Sequence, residues 1–373
     1  MTDLRREPDE VDDVDEQPPA LQVTRRKLVL GGLFIVVLLA FLYFFLPRIA
    51  GLEDTWHSIE DGDPAWFAVA IAFTVASFGG YVLLFQHVYV GGATERVGLR
   101  ESYEITMASL AATRLFAAGG AAGIALTAWA LRRAGMSRRQ VADRSVAFLV
   151  LTYAVYMVAL VVFGLGLHYG LLPGPDPFAM TVVPAVLGLV VIVLVGLMAL
   201  TPTDLAARME GWARRGGRLA RLWQRAANLP AAVSAGVRLA LTEVRGRSWS
   251  VVGAVLYWAF QIGILWASFR AFGESPALAV LVMGYFVGML GNLLPLPGGV
   301  GGVDGGMIGA FTALGVGFEA ALVAVLTYRA AAYWLPTIPG AIAYFQLRRT
   351  VARWSDERRA ERAIQSEARH VTA

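Results

Sequence analysis

The chain has 373 residues, of which 57% are hydrophobic and 16% charged, with a net charge of +4 and no cysteine. A composition this apolar excludes an ordinary soluble globular domain. The missing thiols exclude disulfides, thiolate metal sites and a cysteine nucleophile. The basic residues cluster beside apolar runs, where they orient a membrane protein and meet anionic lipid, so no nucleic-acid partner is expected.

Residues 1–24 are polar and acidic (REPDEVDDVDEQPP) and read as a disordered cytoplasmic tail. Arg25, Arg26 and Lys27 stand directly before the first apolar run, 28–46. That run has about the 20 residues needed to cross a ~30 Å hydrocarbon core. No small-residue cleavage site follows it, so it is expected to stay as a transmembrane helix. The positive-inside rule then sets the N-terminus in the cytoplasm. The loop 47–64 is net acidic, as an external loop should be, and a second span at 65–88 returns to Arg96 and Arg100.

Residues 102–134 hold two half-length apolar helices around AAGGAAG. A full crossing would put Arg132, Arg133, Arg138, Arg139 and Arg144 outside, against the rule. A re-entrant hairpin turning at Gly119–Gly120 keeps both flanks inside. Spans at 146–168 and 180–200 follow. Residues 203–248 then carry nine arginines against three acids, the strongest cytoplasmic mark in the chain and the pattern of amphipathic helices at a lipid surface. The span 249–272 exits again.

Residues 276–317 repeat the earlier problem around PLPGGVGG. The tail from 349 begins with arginines and is expected inside, which requires a second hairpin, entering from the outer face, and a last span at 319–347. The expected fold is therefore an all-α polytopic membrane protein with about six transmembrane helices and two re-entrant helical hairpins. Its membrane domain covers 25–348, with a cytoplasmic tail at 349–373. Within it, 65–168 and 249–347 share one order, span, hairpin, span, and enter from opposite sides. Inverted-topology repeats with Gly/Pro-interrupted segments at matching places are a transporter arrangement. The plain alternative is eight simple spans with weak charge bias at one loop.

The breaks carry the chemistry. Proline ends a helix and glycine permits close backbone approach. Non-helical backbone at membrane depth is tolerated only where protein or water satisfies it. The half-helix restarting near residue 303 presents free N–H groups and a positive dipole end, which attract an anion. Close packing is the competing use of these glycines, through Gly302/Gly306 and Gly305/Gly309 at small-residue spacing. Three charges sit at depth, where each costs on the order of 2.5–3.5 kcal/mol on insertion scales: Arg114, Asp304 and Arg329. One arginine can pair with Asp304, and one acid does not neutralise two, so a positive site is expected to remain for an anionic headgroup; for Asp304 itself, a carboxylate stabilising the helix N-terminus competes with a direct role in substrate or proton coupling. The candidate substrate-binding set is Arg114, Gly119, Gly120, Asn292, Pro297, Gly298, Gly299, Gly301, Gly302, Asp304, Tyr328 and Arg329. Within it Asn292 is expected to cap carbonyls at the break. Tyr328 and Tyr333 read more plainly as packing residues, and Gln261 as an interhelical hydrogen bond. There is no Walker-A sequence, no histidine pair at metal-ligand spacing and no G-x-S-x-G elbow. No cofactor, no metal and no enzymatic activity are expected.

The stretch NLLPLPGGVGGVDGGMIGAFTALGV, followed by AVLTYRAAAYWLPTIPG, resembles the membrane domain of the lysylphosphatidylglycerol synthase/flippase family and its stand-alone relatives. The shared pattern is P-x-P-G-G-x-G-x-x-[E/D], a short helix, a glycine turn, then Tyr-Arg and Trp-Leu-Pro. The first hairpin matches less well: Ala117–Ala118 stand where relatives have a proline, and Asp304 stands where Glu is common. The resemblance implies a protein of the cytoplasmic membrane that moves or binds polar lipids. With about 25 residues after the last span, no synthase domain is expected. The expected substrate is an anionic phospholipid or a polyprenyl-phosphate-linked lipid. Two other functions compete: a non-transporting subunit that docks a lipid-modifying enzyme through 203–248, and a small-solute or ion transporter.

Overall fold

The computed structural model describes residues 62–91, 94, 96–115, 121–200, 233–293 and 301–371. The expected tail 1–24, the first span 28–46 and most of the basic segment (201–232) lie outside these residues. Among the described residues every regular element is helical. In chain order these are α1 (Pro64–Phe85), α2 (Leu99–Leu115), α3 (Ala121–Arg133), α4 (Arg138–His168), α5 (Phe178–Ala199), α6 (233–245), α7 (Trp249–Ala271), α8 (Leu278–Met289), α9 (Gly302–Ala313), α10 (Phe318–Arg329) and α11 (Thr337–Val371). Five stretches are long and apolar enough to cross a membrane: Pro64–Val90, Arg138–His168, Phe178–Ala199, Trp249–Ala271 and Phe318–Ala360. They coincide with the five expected spans after the first. The chain is an all-α polytopic membrane protein.

Local chemistry sets the helix ends. Asp63 accepts from the Ala65 amide at 2.9 Å, with Pro64 opening α1. Ser137 and Gln140 form a reciprocal capping box before α4 (3.2 and 3.0 Å). The two short-helix pairs end alike. Met136 N–H bonds Leu131 O, and Val316 N–H bonds Phe311 O, across Gly135 (φ 104) and Gly315 (φ 83). These are Schellman ends, where a left-handed residue falls to glycine.

Small residues let the long helices approach. α1 and α7 run antiparallel along their whole length, from Asp63 N–H on Ala271 O (2.9 Å) to Gly80 against Gly253. A methyl on Gly253 would lie 2.6 Å from the Leu84 nitrogen. Ser77 seals the seam by donating to Tyr257 O at 3.0 Å. α5 is apolar all round and touches α4 through one edge, where a methyl on Gly188 would lie 2.8 Å from Met157 O. Its other faces, including Val186, Val190, Val193 and Leu197, are exposed, as lipid-facing side chains are.

The short helices expected to form the two hairpins pack as antiparallel pairs. In α2/α3, Ser109 and Thr127 hydroxyls meet at 2.8 Å, and Gly123 faces Thr113 and Ser109. In α8/α9, Gly288 faces Met307 and Gly284 faces Phe311. Each pair leans on the long helix of the other half. α2 packs on α11, where a methyl on Gly340 would lie 2.7 Å from Met107 O. α8 packs on α4, where the Tyr156 hydroxyl donates to Phe286 O at 2.5 Å and the two rings stack at 4.5 Å.

Most of the expected tail 349–373 is helical: α11 runs on to Val371, and Leu347, Val351 and Trp354 are buried in the core. Their spacing makes one apolar stripe on a helix otherwise dominated by arginine.

Candidate functional site

The site is built around a break in the last span. Pro336 has no N–H to serve the preceding turn. That turn widens into a π-helix at Ala330–Trp334, and Leu335 N–H reaches back to Ala330 O at 2.9 Å. Such one-turn bulges recur at functional sites. Other elements supply donors to the carbonyls of the turn. The Thr74 hydroxyl reaches Ala331 O at 3.4 Å. Arg114, from the last turn of α2, donates to Ala332 O at 3.1 Å, to Tyr333 O, and to the Thr337 hydroxyl at 3.3 Å. A cation at the C-terminal end of a helical segment also meets a favourable dipole.

Arg329 stands one residue before the bulge and pairs with Asp304 on α9 (Nε to Oδ1, 2.6 Å), both side chains largely buried. The other Asp304 oxygen accepts from Gly301 N–H at 2.8 Å. This alters the expectation of a bare helix end awaiting an anion, because the helix supplies its own carboxylate there. The Tyr333 ring joins the two arginines, with the Arg329 guanidinium carbon 4.1 Å and the Arg114 carbon 4.4 Å from its centroid. The structure therefore brings Arg114, Asp304 and Arg329 together, with each hairpin contributing one of the three.

The remaining sequence candidates fall into three groups. Tyr328 is buried and belongs to a hydrogen-bonded chain: Tyr285 and Tyr328 hydroxyls at 3.0 Å, Tyr328 to Gln261 Oε1 at 2.8 Å, and Gln261 Nε2 to Ser77 Oγ at 3.1 Å. Gln261 is thus the interhelical bond it was read to be. Gly301 (φ 83) caps α9, and the Gly302 carbonyl packs so closely on Gly291 that no side chain fits between. Asn292 is exposed, and among the described residues its amide reaches only the Met289 sulfur at 4.0 Å, not a carbonyl. The one-turn 3₁₀ segment Leu290–Leu293 ends its helix and points it away from the backbone. Gly119, Gly120, Pro297, Gly298 and Gly299 lie outside the described residues.

Beside these charges lies a cavity of about 540 Å³. Arg114, Arg329 and Asn292 line one end, and Tyr89 and Ser145, whose hydroxyls bond at 2.9 Å, the other. Thr106, Ser109, Thr113 and Thr127 of the first hairpin form one wall, and tyrosines form much of the rest. Among the described residues no aspartate or glutamate lines it. Three lining side chains, Ile124 of α3 and Leu149 and Tyr153 of α4, are exposed (55, 43 and 49%). The cavity takes the C-terminal half of α1 and the N-terminal halves of α4 and α7. The opposite halves, with Leu160, Leu167, Ile264 and Phe269, are packed into one apolar cluster around α8 and α9.

Tyr333 is the residue that sequence reasoning passed over as packing. Its spacing of four from Arg329 on a helix was a usable signal. The hydroxyl stripe Thr106, Ser109, Thr113 at helical period was another.

A helical bundle with five stretches long and apolar enough to span, two broken helix pairs and buried charges at the breaks defines a multi-pass membrane protein. The model of the lysylphosphatidylglycerol synthase transmembrane region matches residues 28–340, and the chain belongs to that family. Similar curated proteins are UPF0104 membrane proteins of Methanothermobacter thermautotrophicus. One is 22% identical over 316 residues, 80% of this chain and 90% of the relative. Another match is 36% identical over 106 residues, 27% of this chain and about 30% of the relative's own length.

Proposed function

We propose that the protein is a lipid flippase or scramblase of the cytoplasmic membrane, working without catalysis of its own. A phosphate-bearing headgroup enters the cavity while its acyl or polyprenyl tails stay in lipid. The observation that carries this reading is the cavity itself: arginine and hydroxyls line it together with exposed apolar side chains such as Ile124 and Leu149. A polar pocket at membrane depth is costly unless something polar uses it. The family's name for a lipid-synthase membrane region supports a lipid as that ligand.

In this reading both termini are cytoplasmic, and the two halves form an inverted repeat. The antiparallel α1/α7 seam, the reciprocal leaning of each hairpin on the other half and the matched Schellman ends support the repeat. The cavity then occupies the cytoplasmic half and the apolar cluster closes the outer half. Movement of a headgroup requires exchange between this arrangement and its inverse.

The test is reconstitution of the full chain into liposomes carrying lipids with fluorescent headgroups. Dithionite-accessible label is expected to exceed that of protein-free vesicles, with at least a tenfold loss of rate in Arg114→Ala. No acceleration across anionic, zwitterionic and polyprenyl-phosphate lipids would overturn the reading.

A further inference from the structure

We infer that this cavity selects headgroups of net negative charge bearing a phosphate and hydroxyls, and rejects aminoacylated, cationic headgroups, with Arg114 as the residue that sets the preference. The inference rests on the headgroup reading above and narrows its substrate class. It departs from what the family's descriptive name suggests, since a lysyl ester of phosphatidylglycerol carries two ammonium groups against one phosphate.

The charge count within the cavity carries the argument. Arg329 lines it, but its charge is matched by Asp304. Arg114 lines it too, and among the described residues it has carbonyls and a hydroxyl as partners but no carboxylate. Carbonyl oxygens satisfy N–H groups without cancelling the charge. A guanidinium has five donors; the three bonds of Arg114 all come from its terminal nitrogens, and its Nε–H makes none. Counted over the described residues, the site thus offers one net positive charge and a donor suited to a phosphate oxygen.

The remaining wall suits a hydroxylated group. Ser109, Thr113, Thr127 and the tyrosine hydroxyls present donors and acceptors without charge. Tyrosine faces and hydroxyls can receive one ammonium, but two of them beside Arg114 meet no opposing carboxylate among the described lining residues. An uncompensated like charge at this depth is the repulsive element that specificity requires.

The experiment measures equilibrium binding of short-chain lipids to the detergent-solubilised full chain by calorimetry. The probes are dioctanoyl-phosphatidylglycerol, its lysyl ester, and glycerol phosphate as a soluble anion. Phosphatidylglycerol is expected to bind at least tenfold tighter than its lysyl ester, and glycerol phosphate at least tenfold more weakly than the lipid. Arg114→Gln is expected to bring the two lipids to within about threefold of each other by weakening the anionic one, while Arg114→Lys keeps the order. The wild-type ratio decides the matter even where a variant fails to fold. Equal or tighter binding of the lysyl ester overturns the inference and leaves the headgroup reading standing. Glycerol phosphate binding as tightly as the lipid overturns it in favour of a soluble-anion site. No binding of any lipid sinks the headgroup reading and the inference together.

Discussion

The two helical hairpins begin from similar sequence and end in different states. The second, α8/α9, is sealed. Gly288 and Gly306 bring its backbones together, Phe311 fills the space over Gly284, and Asp304 ties it to the last span. The first, α2/α3, presents hydroxyls where the second presents phenylalanine and methionine, and the cavity lies along it. Glycine therefore makes a hairpin possible at depth in both halves, while the side chains facing the bundle decide whether it closes. The difference teaches that the packed hairpin acts as a structural counterweight, while the hydroxyl-bearing one supplies a wall of the cavity.

The largest expected effect breaks the sealed side at its ion pair. Asp304→Asn leaves Arg329 buried without its counter-charge, and losing one partner of a buried pair costs about 3–5 kcal/mol. Thermal unfolding of the detergent-solubilised protein should show a large drop in midpoint. The double variant Asp304→Asn/Arg329→Gln should recover a clear part of it, because the orphaned charge goes too. A midpoint within error of wild type for Asp304→Asn would mean that the pair is not what ties α9 to α10.

A second effect separates the faces of one helix. A side chain on Gly306 meets Gly288 O at 2.7 Å, which is backbone and has no room to yield, whereas Gly309 has open space. Gly306→Leu is expected to destabilise by about 2–3 kcal/mol through overpacking, and Gly309→Leu by no more than about 0.5 kcal/mol. Of the two small-residue pairs visible in the sequence, Gly302/Gly306 faces a helix, and Gly305/Gly309 does not. Equal losses would show that α9 is packed on both faces.

How much of this was legible beforehand depends on the range of the interaction. Hydropathy gave the spans, because each is a property of its own twenty residues. Gly/Pro runs together with the positions of arginines gave the hairpins. Counting charges at depth gave a pair between Asp304 and one of two arginines; that the partner is Arg329 comes from the structure. The meeting of Arg114 with Tyr333 joins residues 219 apart and depends on a π-bulge turning the ring toward α2, which no local pattern encodes. The helix beyond 349 was hidden for another reason: its arginines dominate the composition, and the stripe Leu347, Val351, Trp354 was outweighed by them.

The smallest expected effect tests whether the hydroxyl-bearing hairpin is held independently of the sealed one. Glu104 on α2 is buried. It accepts from the Thr350 hydroxyl on α11 at 2.7 Å and from Arg100 Nε at 3.1 Å, while Arg100 itself is largely exposed. This clasp fastens the first hairpin to the last helix about ten residues from Arg114, or ~15 Å along α2, without touching the cavity charges. Thr350→Val removes two bonds to charged groups, the buried one to Glu104 and one accepted from the Arg353 guanidinium at 3.1 Å; the buried bond is worth about 1.5 kcal/mol, and the unfolding midpoint should move only slightly. Hydrogen exchange resolves where the loss falls. Faster exchange confined to α2 and the adjoining part of α11, with α8 and α9 unchanged, is the expected pattern, since contacts of the clasp do not reach the second pair. Exchange that rises equally in both hairpins would mean that they open as one unit, and the contrast between a fixed half and a permissive half would lose its physical basis.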